Sequence, residues 1–424
     1  MKIKIRAALL LAGIIIFTAD SAFGAYSGGT GEPNNPYLIS TAEDLNSIGV
    51  NPGDWSKNFK MVADVNLSAF TGSQFKIIGG TSPYFSGIFD GNDHEITNFS
   101  FIDKTRAYAG LFGRTTETSK ILNVHLVDVN VCGSYEIGGL VGYNLGQVLN
   151  CSITGVISAI EDVGGLIGQN RSPAHIEKCS TDVTMQNYSS QSYVGCLVGW
   201  NMYADIIDCS ASGKINGSYR IDKAGGLVGS NTGKIERCYS TADIKGYSVI
   251  GGLLGEHDWN DLKSSYATGT ITAEVTGGGL VGFSTHSVIN CYATGDVNCA
   301  RMGGGLIGEE YAGAINCYST GYVAGNEDVG GLFGLSHNES IGCFWDINTS
   351  GQTTSMGGTG LTTSQMQTAT YFINAGWDFV EIWNIGENQT YPYLRTEPAG
   401  DLDHDAKVDF ADFAIMANHW LEEI

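Results

Sequence analysis

The sequence predicts an all-β chain wound as a parallel β-helix (a solenoid), with an N-terminal cap and a short helical calcium-binding module at its C-terminal end. Three observations predict it. A Gly-Leu-aliphatic-Gly element, usually preceded by another glycine, recurs with its leucine at Leu111, Leu140, Leu166, Leu197, Leu227, Leu253, Leu280, Leu306 and Leu332, at intervals of 26 to 31 residues. Side chains at fixed places behind each leucine keep even offsets from one another, the alternation of strands and not of helices. Glycine supplies 59 of 424 residues while charged residues supply only 16%, a balance suited to short strands joined by tight bends. A β-propeller blade needs about 40 residues, which a 26-residue period does not provide.

Residues 1–24 read as a cleaved signal peptide. Lys2, Lys4 and Arg6 form a positive start, Ala7 to Phe17 an apolar run, and Ala22-Phe23-Gly24 a small-residue cleavage site. The run is too short to span a bilayer of about 30 Å, and no later segment is long and apolar enough to do so. The mature chain is therefore expected outside the cytoplasm, secreted or at the cell surface, with no membrane span. Residues 25–84 depart from the repeat and read as an N-terminal cap, because an open solenoid end exposes a strand edge. Ser40 to Ile48 has helical character, with capping-box spacing from Ser40 to Glu43. Strand-like runs follow at Phe59–Leu67 and Phe75–Ile78.

The repeats occupy 85–345, with a weak first copy at Gly87-Ile88-Phe89-Asp90-Gly91. Behind each leucine lies Cys151, Cys179, Cys209, Cys238, Ser265, Cys291, Cys317 or Cys343. Two and six residues further on come small or apolar side chains such as Ala211 and Ile215, or Ala293 and Val297. Each unit is expected to be about three short strands, stacked about 4.8 Å above the last. The cysteines then form a buried ladder of mostly reduced thiols, since in-register parallel side chains make disulfide geometry hard to reach.

Directly after the cysteines, with opposite parity, stand Tyr239, Tyr266, Tyr292 and Tyr318. They are expected to point outward, either as a stabilising aromatic ladder or as a flat strip on which a sugar chain stacks. Four residues after the leucine recur Asn144, Asn170, Asn201 and Asn231, read as a turn ladder that tolerates left-handed backbone. Later turns carry Glu256-His257 and Glu309-Glu310 there. Two turns separate them, about 9.6 Å, near the carboxylate spacing of an inverting glycosidase. Glu256, Glu309 and Glu310 are therefore the catalytic candidates of an enzymatic alternative.

Residues 346–396, with Trp377, Trp383 and Tyr391-Pro392-Tyr393-Leu394, are expected to close the far end. In 397–424, carboxylates fall at loop positions 1, 3, 5, 9 and 12: Asp401, Asp403, Asp405, Asp409 and Asp412, with Lys407 offering a carbonyl at position 7. That spacing gathers hard oxygen ligands around one calcium ion. Phe410, Phe413, Ala414, Ala417, Trp420 and Leu421 then trace one face of a helix.

The segments Gly138-Gly139-Leu140-Val141-Gly142 and Gly225-Gly226-Leu227-Val228-Gly229, followed by Cys-Tyr-Ser-Thr or a variant, resemble those of GLUG-motif repeat proteins. The resemblance implies a right-handed β-helix on a secreted or surface protein and implies no chemistry. The calcium loop resembles a single type I dockerin repeat, which implies a cohesin-like or scaffold partner for 397–424. It departs from that pattern with Ala406 at the usual glycine, and in standing alone.

A net charge of −22 excludes a nucleic-acid partner, because phosphate binding needs a basic face. The leading expectation is a non-catalytic binding, adhesion or display protein with a polysaccharide or cell-surface ligand. The alternatives are a polysaccharide-degrading glycoside hydrolase or lyase, and a passive structural spacer.

Overall fold

The computed structural model describes residues 25–187, 193–216 and 221–395, which form a parallel β-solenoid of about ten turns. One turn consists of Gln147–Leu149, Ser152–Ala159, Glu161–Gly164 and Ile167–Arg171. That is four strands, one more than the period alone predicts. Each pairs in parallel with its counterpart in the next turn, Val148 with Ile176, Ile153 with Thr181, Val163 with Val194 and Ile167 with Val198. Stacking gives a first sheet of eleven strands, a third of eight and a fourth of nine, with the second sheet made of longer strands that later split in two.

The columns run straight. All nine leucines from Leu111 to Leu332 are fully buried, as are Val148, Ile176, Ile206, Ile235, Leu262 and Val288 of the first sheet. A single turn buries too few such side chains, at about 1.5–3 kcal/mol each, to outweigh the entropy of ordering its backbone. Neighbouring turns supply the missing contact surface.

The left-handed position is not the asparagine column. It is the residue before the cysteine: Asn150, Lys178, Asp208, Arg237, Ser264, Asn290 and Asn316 have φ between 46° and 54°. The Asn144 to Asn231 column instead lies inside the fourth sheet, fully buried, and forms a hydrogen-bond chain. Asn144 Nδ2 donates to Asn170 at 2.9 Å, Asn170 to Asn201 at 2.8 Å and Asn201 to Asn231 at 2.7 Å. The second amide hydrogen satisfies a bend carbonyl, as from Asn201 to Ala204 O at 2.8 Å.

Residues 25–84 contribute strands to the stack as well as a helix. Tyr37–Ile39 pairs with Asn58–Met61, which pairs with Ile88–Asp90 in the first sheet. The helix spans Ala42–Val50, one residue later than its sequence signal. Thr41, not Ser40, is the cap, and Asp44 closes the capping box. Leu45 and Ile48 sink into the core of the first turn.

The far end differs from a simple lid. Phe344–Asp346 and Thr359–Leu361 extend the second sheet. Two short helices, Thr363–Met366 and Ala369–Asn374, and the antiparallel pair Trp383–Asn384 with Tyr393–Leu394 then fold back along that sheet's outer flank. Tyr318, Phe344, Leu361, Met366, Phe372, Trp377 and Trp383 make a second apolar core there.

Candidate functional site

The site grows out of the bend that opens the second sheet. The left-handed residue turns the following cysteine N–H toward the side chain of the next turn. Cys151 N–H donates to Cys179 Sγ at 3.4 Å, and Cys291 N–H to Cys317 Sγ at 3.3 Å. Each thiol donates to the carbonyl two residues earlier, as from Cys317 to Ile315 O at 3.2 Å. Ser265 reproduces both bonds with oxygen, accepting from Cys238 N–H at 3.1 Å and donating to Lys263 O at 2.7 Å. All ten cysteines are free and buried. Burial pushes the Cys196 thiol up to about 12 and raises Cys151, Cys209, Cys317 and Cys343. These thiols stay protonated as hydrogen-bond donors.

One residue on, the tyrosines face out in register. Their rings stack nearly parallel: Tyr239 on Tyr266 at 5.0 Å, Tyr266 on Tyr292 at 4.8 Å, and Tyr292 on Tyr318 at 5.0 Å. This corrects the expectation of a flat strip. A ring covered on both faces by its neighbours offers a ligand its edge and hydroxyl, not its face. Tyr239, paired in register with Ser210, ends the row and keeps one face free of a tyrosine neighbour.

Tyr318 is a second correction. It is buried, its hydroxyl donating to Pro392 O at 2.6 Å under Trp377 and Trp383. It is an anchor for the C-terminal segment rather than an outward ligand position.

That segment turns the remaining tyrosines into one wall of a cleft. Tyr239, Tyr266 and Tyr292 face Glu381, Ile382, Tyr393, Leu394 and Arg395 across a space of about 700 Å³. Burial raises the pKa of Tyr266 and Tyr292, so their hydroxyls remain donors. Both arginines at the rim are already held. Arg237 grips Asp208 with two bonds, at 2.7 and 2.9 Å, and Arg395 donates to Trp383 O at 3.1 Å and Phe379 O at 2.9 Å. The cleft can therefore offer apolar edges and phenol hydroxyls between fixed charges. The far wall was missed in the sequence because no period links 381–395 to 239–292.

The carboxylate candidates divide between two faces of the fourth sheet. Glu256 and Glu309 share an outward column of the fourth sheet with Phe283 between them. Glu256 is held by Lys223 and by Ser230 Oγ at 2.8 Å. Glu309 accepts from Tyr311 at 3.0 Å. Glu310 has opposite parity and is fully buried in the asparagine column, accepting from Gly313 N–H and from Ser336 Oγ at 2.7 Å. A carboxylate facing inward cannot act on a chain lying outside, which removes Glu310, whereas Glu256 and Glu309 both face out two turns apart, about 9.6 Å, with Phe283 between them.

The expected signal peptide, residues 1–24, and the expected calcium loop with Asp401, Asp403, Asp405, Lys407, Asp409 and Asp412 lie outside the described residues. No group of three or more His, Cys, Asp or Glu among the described residues is placed to hold a metal ion. No helix among them is long and apolar enough to cross a membrane.

The GLUG motif family model matches residues 190–216, 224–245 and 275–298. The chain carries GLUG repeats. It is 31% identical over 246 residues to halomucin of Haloquadratum walsbyi, covering 56% of this chain and 3% of halomucin. It is 35% identical over 477 residues to a putative Gly-rich membrane protein of Evansella cellulosilytica, covering 91% of this chain and 48% of that protein. The chain thus spans less than half the length of either relative. Among solved structures it is similar to a putative immunoglobulin A1 protease from Bacteroides ovatus, at 17% identity and a TM-score of 0.43, covering 88% of this chain and 96% of that one. It is also similar to an IgA1 protease at 15% identity and a TM-score of 0.32, covering 87% of this chain and 26% of that one.

The GLUG glycines have a steric cause. After the leucine bend, the fourth sheet returns so close to the third that backbone meets backbone. A Cβ on Gly229 would stand 2.4 Å from Val194 N, and one on Gly255 2.8 Å from Ala224 N. The repeat therefore fixes where the two sheets touch, and that contact sets which side chains line its outer edge.

Proposed function

We propose that this chain is a secreted or cell-surface β-helical protein that binds a polysaccharide in the tyrosine cleft. A calcium-loaded module at 397–424 would dock it to a scaffold partner. The observation that carries the reading is the cleft itself, a long space with tyrosine edges and hydroxyls on one wall and apolar and charged groups on the other. Amphipathic aromatics of this kind suit a ligand that is apolar on some faces and hydroxylated on its rim. The relatives' descriptions, a halomucin and a membrane protein, support a surface setting. The charge of −22 opposes nucleic acid.

The test is binding of the full chain, with calcium, to xylan, mannan and polygalacturonate. Binding to at least one, weakened tenfold or more by Tyr239→Ala with Tyr266→Ala and untouched by Glu256→Gln with Glu309→Gln, supports the cleft. Binding to none of the three leaves the spacer reading in its place.

A further inference from the structure

The tyrosine stack stops at Tyr239, and the sheet that carries it goes on. Tyr239 pairs in register with Ser210, Ser210 with Ser180 and Ser180 with Ser152. The outward column therefore changes from rings to hydroxymethyl groups in one step. A second column beside it carries Thr154, Asp182 and Ser212, also in register. These side chains and Thr241 line a groove of about 330 Å³ on the outer face of the second sheet, with Tyr239 at its C-terminal end.

Tyr239 also lines the tyrosine cleft, so groove and cleft share one wall. The cleft reaches past the end of the stack, along the bend residues Lys178, Asp208 and Arg237. Within the stack each ring lies 4.8 to 5.0 Å from the next, with planes within 8° of parallel. The face of Tyr239 turned away from Tyr266 therefore looks toward the preceding turn, over Ser210. The Arg237–Asp208 pair runs along the bend beside that space. An aromatic face left to water there forgoes the burial that the inner rings of the stack obtain.

We propose that a neutral polysaccharide lies along this face and seats one pyranose ring on the open face of Tyr239, above Ser210, where a fifth tyrosine would otherwise stand. The inference rests on the cleft reading and adds to it the seat and the class of sugar. A pyranose has C–H groups on its faces and hydroxyls on its rim. The C–H groups carry a slight positive charge and suit the negative face of a tyrosine ring. The rim hydroxyls meet the hydroxyls of Ser180, Ser212 and Thr241 and donate to the Asp182 carboxylate. From that seat the sugar chain passes the tyrosine hydroxyls into the cleft.

Charge decides against acidic sugars. Arg237 is committed to Asp208 and, at 3.1 Å, to Glu236. Arg395 is committed to two backbone carbonyls, and Lys178 lies 3.8 Å from Glu177. Asp182 stands in the groove and Glu381 in the opposite wall of the cleft. A uronate carboxylate would meet like charge at both places and find each of these cations already partnered. A hydroxyl donates to the same carboxylates without that cost.

The experiment titrates the full chain, by calorimetry at low and high salt, with oligosaccharides of xylan, mannan, laminarin and polygalacturonate. At least one neutral oligosaccharide should bind about tenfold or more tightly than oligogalacturonate, with an affinity that salt barely changes. Ser210→Tyr puts a ring in the seat, in a register that already holds tyrosine for four turns, and should weaken neutral binding about tenfold or more. Tyr239→Phe keeps the ring face and should stay within about threefold of wild type, whereas Tyr239→Ala should lose about tenfold or more. If Ser210→Tyr fails to fold, the two Tyr239 variants carry the test. Neutral binding that Ser210→Tyr leaves intact while Tyr266→Ala abolishes it overturns the seat and keeps the cleft. Tyr239→Phe as weak as Tyr239→Ala overturns the seat as well, since the hydroxyl and not the face would then hold the sugar. Oligogalacturonate bound most tightly overturns the neutral class and keeps the cleft. No binding of any of the four removes the cleft reading and this inference with it.

Discussion

His257 is where the asparagine ladder changes chemistry, and it should make the solenoid acid-sensitive. The ring is fully buried, Asn231 Nδ2 lies 3.1 Å from its Nδ1, and among the described residues its Nε2 has no partner. Burial first, and then His286, lower its pKa to about 4, although Asp258 and Asp261 pull the other way. The unfolded chain takes up this proton near 6.5, well before the folded chain does. The neutral imidazole therefore costs nothing above the unfolded pKa. Stability falls as pH drops from about 6.5 toward 4 and is flat below. A shift of two to three pKa units corresponds to about 3 kcal/mol in total, of which about 2 kcal/mol is lost by pH 5. His257→Asn restores the residue used in the four preceding turns and removes both the titration and the orphan atom.

Urea unfolding at pH 7.5 and pH 5.0 measures this. Wild type should lose about 2 kcal/mol more than His257→Asn between the two conditions. Glu136, Asp162 and the other acids titrate in both proteins and cancel in the difference. Parallel pH profiles would refute the reasoning, since they would mean His257 is protonated in the folded state or reaches water.

Three further outcomes follow from the same geometry. Cys317→Ser should be nearly neutral, as Ser265 already plays that part, whereas Cys317→Ala leaves the Cys291 N–H unpaired and should cost about 1–3 kcal/mol in the same unfolding assay. Gly229→Ala should cost about 3 kcal/mol or more through its clash with Val194 N, while Gly53→Ala, with nothing within 4 Å, should be silent in thermal unfolding. For the calcium loop, calorimetry on the full chain should find one calcium ion per chain, lost in Asp401→Ala with Asp412→Ala; equal calcium uptake by that variant would remove the loop as the site.

The stack was legible because a period converts sequence offsets into lines in space. Leu140, Leu166 and Leu197 are buried one above another, and the cysteine column sits inside, as equal spacing requires. What the period could not convey was how a turn bends. Asn150, Asn290 and Asn316 advertise the left-handed position, but Lys178 and Arg237 hold the same φ and hide it. Four strands emerge where three were expected because Glu161–Gly164 and Ile167–Arg171 are separated only by a two-residue bend, too short to register as a break. The column of Tyr108, Glu136, Asp162 and Tyr193 beside the third sheet escaped notice for a related reason, since no residue type repeats from one turn to the next along it. The wall of the cleft escaped because contacts between unlike segments have no period at all.

The tyrosine row does two jobs, and that couples them. Exposure falls along it from 38% at Tyr239 to 2% at Tyr318 and 7% at Phe344, because Trp377 and Trp383 cover its C-terminal members. One end of the row anchors the segment 362–395 and the other forms a wall that the segment completes. A ligand held between the two walls touches both, so it binds the docked arrangement better than the undocked one and must stabilise it. Trp383→Ala, which removes a fully buried side chain 4.4 Å from Trp377, should loosen docking by about 3–5 kcal/mol. Protease cleavage within 362–395 should then rise, and whichever polysaccharide the wild type binds should slow it. Cleavage in that variant that ignores saturating polysaccharide would mean that the ligand does not bridge the walls, and the cleft would no longer be its seat.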